Sequence, residues 1–166
     1  MGLLILLPFI VQTLVIMIDE FYFHVRRGLP KWERLGHPLD TLTVLACFAF
    51  VLFFPCTSFF VKIYIGLAIF SSVFVTKDEF VHKECCPAPE QWLHALLFLN
   101  HPIVLTAVGL IWPVIDGVDS PSWLSWLIPH APLLYGVVLM QTVFTALFFI
   151  YQLVYWNFIW KDPALE

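Results

Sequence analysis

Residues 2–27 read GLLILLPFIVQTLVIMIDEFYFHVRR: seventeen residues without a charge, followed within nine by Asp19, Glu20, His24, Arg26 and Arg27. An uncharged run of that length meets the lower bound of about 17 residues for a helix that crosses a bilayer. No basic segment precedes it and no small-x-small cleavage site stands before Asp19, so it reads as a retained helix and not as a signal peptide. The acids behind it pose the question for the rest of the chain, because ionisable groups beside hydrocarbon are costly unless they pair, face a cavity or bind a cation.

Further apolar runs occupy 41–54, 59–76, about 89–115 and about 132–160. Pro55 and the polar residues after it read as a tight hairpin, Pro102 as a kink, and 116–131 as a loop that holds Asp116 and Asp119. Of 166 residues, 61% are apolar and 12% charged, with a mean hydropathy of +0.89. Soluble domains are typically about 45–50% apolar and about 25% charged, so the solvent is lipid. The fold class expected is therefore all-α: a polytopic membrane protein with five transmembrane helices in a single integral membrane domain over 1–166. The net charge of −4 argues against a nucleic-acid partner despite the local cluster of Arg26, Arg27, Lys31 and Arg34, which reads as topology determinants and headgroup anchors.

Five crossings put the termini on opposite sides. Seven of the eight Lys and Arg residues fall on one side, Lys62 alone near the other. The positive-inside rule makes the first side cytoplasmic, with the N-terminus outside and the C-terminus inside. Trp112, Trp123 and Trp126 then read as outer interface anchors, and Trp32, Trp92, Trp156 and Trp160 as inner ones. Cys85 and Cys86 face a reducing compartment as inert or lipid-modified thiols, and no structural disulfide is expected.

The two cytoplasmic connections repeat the same words. Asp19-Glu20-Phe21 with His24 is matched by Asp78-Glu79-Phe80 with His82, and Pro30, Glu33, His37 share the pattern P-x2-E-x3-H with Pro87, Glu90, His94. The repeats run over about 2–57 and about 58–116, as tandem parallel hairpins forming a four-helix core about an axis along the membrane normal, with the fifth helix at about 132–160 outside it.

Glu20 and His24, Asp78 and His82, and Glu90 and His94 are spaced i, i+4, and Glu79 and His82 i, i+3, each pair on one helix face. Pro38 is expected to break the helix after His37, which weakens Glu33 with His37 and favours His37 with Asp40 at a helix start. Twenty-six residues of helix from Gly2 span roughly 39 Å against a core of about 30 Å, so the cluster lies near the inner interface. Alone, each such residue is an ordinary cap or snorkelling anchor. Together, Glu20, His24, His37, Asp40, Asp78, Glu79, His82 and His94 suit a metal centre of the four-helix-bundle type, with two ions, iron favoured and zinc or manganese as alternatives. His101, roughly 10 Å deeper than His94, either lines a substrate pocket, relays protons or bonds a backbone carbonyl near Pro102. His130 reads as structural.

In ligand type this set resembles the soluble di-iron carboxylate proteins. In its cytoplasm-facing position between lipid-spanning helices it resembles the membrane fatty-acid desaturases and hydroxylases, whose H-x2-H-H boxes are absent here. The resemblance covers chemistry alone and carries no residue assignment. The function expected is a metal-dependent oxidoreductase acting on a lipid or other apolar substrate, served by an electron-donor protein. The alternatives are a zinc-dependent hydrolase with Glu33 or Glu90 as catalytic base, and a non-catalytic metal-binding or assembly protein.

The orientation is testable in a chain whose native cysteines are replaced by serine. A membrane-impermeant maleimide should label Asp119→Cys in intact cells and Lys31→Cys only after permeabilisation; the reverse pattern overturns it.

Overall fold

A computed structural model of the chain describes residues 2–79 and 86–161, and the described residues are helical with no strand. Five helices are long and apolar enough to cross a membrane: α1 (Leu4–Arg27), α2 (Lys31–Phe53), α3 (Ser58–Lys77), α4 (Ala88–Ile115) and α5 (Ser122–Ile159). Large apolar side chains such as Leu7, Ile10, Leu14, Phe59, Ile69, Leu99 and Ile150 point outward from the bundle, as a lipid solvent requires.

Two boundaries differ from expectation. Pro38 does not break α2, which begins at Lys31 behind Pro30. A proline inside a helix strands the carbonyl four residues back, and Asn157 Nδ2 donates to that carbonyl, Arg34 O, at 3.3 Å. The segment taken for a loop is partly helical: Ser122–His130 forms a 3-10 helix that buries Leu124 and Leu127 and leads straight into the α-helix beginning at Ala131. Asp116 closes the end of α4 and accepts from the backbone N–H of Cys56 at 2.7 Å, tying that end to the α2–α3 turn.

The helix packed most closely on α1 is α4, and on α2 it is α5; α3 lies against both α2 and α4. The fifth helix is thus part of the core and not an appendage to a four-helix unit. Two of the tryptophans read as interface anchors are interior: Trp112 is buried and donates to Phe54 O (3.2 Å), and Trp156 is buried beside Glu20.

The two ends of the bundle differ in character. At the end of the first crossing's N-terminus, Phe9, Phe48, Val108, Ile111, Trp112, Leu127 and Leu134 form a closely buried apolar core. At the other end, the interior is polar. There the chain turns between α1 and α2 at Gly28, with φ 74° and ψ 159°, a region open essentially to glycine alone. Its Cβ position is taken as well, since a Cβ there would lie 2.5 Å from the Trp160 indole. Arg34 covers the other side of that indole at 4.3 Å and donates to Leu29 O at 2.6 Å. Gly28→Ala should therefore destabilise the protein by about 1–3 kcal/mol, read as a lower Tm in detergent, whereas Gly66→Ala, which meets nothing within 4 Å, should leave Tm unchanged or raise it.

Candidate metal centre

In an α-helix each residue advances about 100°, so Asp19 and His24, five apart, would face well away from one another. Over Asp19–His24, however, α1 is wound as a π-helix, and Val25 N–H bonds Glu20 O. With i→i+5 bonding, residues five apart come back toward one face, and Asp19, Glu20 and His24 all turn inward, each no more than 6% exposed. Opposite them, α4 starts behind Pro87 with Pro89 in its first turn, where a missing N–H costs nothing. This places Glu90 and His94, one turn apart and both buried, against α1.

A buried cluster of Asp19, His24, Glu90 and His94 results that can hold a metal ion, its ligand atoms all within 4.8 Å of one another. His24 is fixed from behind. Trp156 Nε1 donates to Glu20 Oε1 at 2.7 Å, and His24 Nδ1 donates to Glu20 Oε2 at 3.2 Å. A carboxylate on one ring nitrogen sets the tautomer and leaves the other nitrogen with a lone pair. That atom, His24 Nε2, lies 3.3 Å from Asp19 Oδ2 and 3.7 Å from Glu90 Oε1, without a hydrogen-bond partner among the described residues. His94 Nε2 donates to Asp19 Oδ1 at 2.9 Å, a contact that a cation bonded to both groups would replace.

Beside this cluster, His24, Glu33 and His37 form a second close group. The uninterrupted α2 puts Glu33 and His37 on one face, with His37 Nε2 3.9 Å from Glu33 Oε2. Arg27 bridges the two groups, donating to Glu33 Oε2 at 2.8 Å and to Glu90 Oε1 at 3.0 Å. The equivalent glutamates of the two P-x2-E-x3-H copies thus meet on one guanidinium. Cys86, just before α4, is buried near the same groups. Burial pushes its thiol pKa up, Arg27 opposes this and Glu90 adds to it, so the raised thiol stays protonated.

The other expected residues are placed differently. Glu20 supports His24 and is not among the four clustered groups. Asp40 forms an ion pair with Lys77 (2.6 Å), and Glu79 is exposed. His82, Cys85 and the Asp78 side chain lie outside the described residues. His101 bonds Ser71 Oγ through Nε2 at 2.9 Å, and not a carbonyl near Pro102.

Sequence reasoning missed Asp19, whose inward turn depends on the π-winding, and the roles of Arg27 and Trp156. A signal for α5 was present: Gln141, Thr145, Gln152 and Trp156 recur at intervals of 4, 7 and 4 on one helix face. The first three line a cavity of about 80 Å³ that begins at Asp19, Glu20, His24 and His94 and runs into the bundle to Gln12.

Comparison with protein families, curated proteins and solved structures finds no match for this chain. The functional reading therefore rests on the side chains themselves.

Removing one partner of a buried ion pair costs about 3–5 kcal/mol. Arg27→Met strands Glu33 and Glu90, both essentially inaccessible, and should lower stability by about that amount in denaturant titration. Adding Glu33→Gln should recover part of the loss.

Proposed function

We propose that the chain is a membrane-embedded, metal-dependent oxidoreductase that holds one divalent ion on Asp19, His24, Glu90 and His94. The observation that carries this reading is His24 Nε2, a buried lone pair aimed at two carboxylate oxygens and fixed there by the Glu20–Trp156 support. Three electron-rich atoms so arranged repel unless a proton or a metal cation lies among them, and two carboxylates beside two imidazoles suit the metal.

One ion, in place of the two expected from the sequence, follows from the geometry. Both close groups need His24, whose one available nitrogen serves a single metal. Arg27 already supplies positive charge between Glu33 and Glu90. Formally, Asp19, Glu20, Glu33 and Glu90 bring four negative charges against the one of Arg27, a balance that favours a divalent cation.

Two imidazoles with two carboxylates come near the two-histidine, one-carboxylate donor set of non-haem iron oxygenases, which supports iron over manganese or zinc. Iron so held supplies oxygen activation. Around it, Glu20 and Trp156 hold the His24 ring, Arg27 keeps Glu90 in place, and apolar walls from Ile16, Leu97, Phe98 and Phe148 limit access of bulk water to the cavity. With Arg27 on Glu33 and Glu90, neither is placed as a free general base; this supports ligation by Glu90 and weighs against the hydrolase. The oxidoreductase reading calls for an electron-donor protein, and the Lys and Arg distribution supports a cytoplasmic site facing it, with the two repeats arranged about an axis near Arg27.

Elemental analysis of the full purified chain, reconstituted with Fe, Mn and Zn in turn, tests the proposal. About one Fe per chain is expected, with a rise in Tm on binding. His24→Ala and His94→Ala should each abolish retention, and His130→Ala should not. Stoichiometric zinc with no retained iron would overturn the oxidoreductase in favour of the hydrolase, and absence of any bound metal would overturn both.

A further inference from the structure

The cavity behind the metal cluster has its own chemistry. Its charged residues, Asp19, Glu20 and Asp40, stand at the site end, whereas its other polar groups include the neutral Gln12, Thr13, His101, Gln141, Thr145 and Gln152, set among apolar walls such as Val44, Phe48, Leu97 and Phe144. Gln12, His101 and Gln152 are each 5% exposed or less. Buried groups of this kind need partners, and the hydrogen bonds present leave specific atoms over.

Asn100 Nδ2 donates to both Pro8 O and Gln12 Oε1 at 2.9 Å, which occupies the Gln12 oxygen and leaves its amide N–H groups. Thr41 Oγ1 donates to Gln152 Oε1 at 2.6 Å, leaving that amide likewise. Across α2, α3 and α4, Thr43 O–H donates to Asp40 O at 2.8 Å, so the Thr43 oxygen accepts from Ser71 O–H at 2.7 Å, and Ser71 in turn accepts from His101 Nε2–H at 2.9 Å. A relay that ends on a carbonyl, which can only accept, fixes the tautomer. His101 Nδ1 is left as an acceptor. None of these three atoms makes a hydrogen bond among the described residues.

We propose that this cavity is a ligand chamber for a small neutral molecule bearing a hydroxyl or carboxamide group, bound by the Gln12 and Gln152 amides as donors and His101 Nδ1 as acceptor. Read as the substrate chamber, the assignment rests on the metal centre proposed above. Size supports it: a space of about 80 Å³ suits a small molecule better than a fatty acyl chain. Polarity agrees, because carboxamides and an imidazole interrupt the apolar walls that an acyl chain would want unbroken. Charge completes the selection: the acids at the mouth repel anions, and the neutral depth offers a cation no counter-charge.

Calorimetry on the full, metal-loaded chain in nanodiscs, corrected against empty discs, tests this with butanamide, 1-butanol, butyrate, butylammonium and 1-chlorobutane. The two neutral hydrogen-bonding probes should give saturable binding at one per chain. Gln12→Leu and His101→Phe should each weaken it about tenfold, on the scale of one lost hydrogen bond, with metal content unchanged. If His101→Phe does not fold, Gln152→Leu takes its place. No saturable binding of either neutral probe, equal binding of a charged probe or of 1-chlorobutane, or indifference to the substitutions overturns the proposal. Metal content read on the same samples separates the two readings: butanamide binding without metal keeps the chamber and sinks the metal centre, and metal without butanamide does the reverse.

Discussion

A carboxylate next to hydrocarbon is tolerated only in company, and here the company of each acid comes from another helix. Asp19 of α1 meets His94 of α4, Glu20 of α1 meets Trp156 of α5, and Asp40 of α2 meets Lys77 of α3. Arg27 of α1 joins Glu33 of α2 to Glu90 of α4. Lipid gives helices no hydrophobic reason to choose one neighbour over another, so packing and polar contacts must do so. Five acidic positions at one end thereby set the register of all five helices, and the polar cluster works as the bundle's clasp as well as its candidate site.

That arrangement explains the asymmetry between the ends. Away from the clasp, α2, α4 and α5 close around an interior of Phe48, Val108, Ile111, Leu127 and Leu134. Near it, the polar groups that hold the helices in register also keep them from packing apolar faces tightly together, and the cavity occupies the space between. The chamber runs from the clasp into the bundle as far as Gln12.

The crossings were legible because a run of apolar residues in a chain this hydrophobic has few alternatives. What local pattern could not show was compensation from afar. Pro38 reads as a break until Asn157, 119 positions later in the chain, takes the carbonyl it strands. Trp112 and Trp156 read as interface anchors because tryptophan favours that zone, yet Phe54 O and Glu20 give their N–H groups buried partners. Glu20, His24, Glu90 and His94 stood out by their spacing, since an α-helical period governs most of both helices. Asp19 did not, because its direction is set by a change of winding that no residue type announces.

A π-turn is an α-helix carrying one residue too many. Deleting a single residue between Asp19 and His24 would restore the ordinary pitch and leave the acid and the histidine four apart, still on one face. Keeping every residue but winding the segment at the ordinary pitch would instead carry Asp19 about 140° round the axis from His24, so the acid reaches the pocket only because the turn absorbs the extra residue.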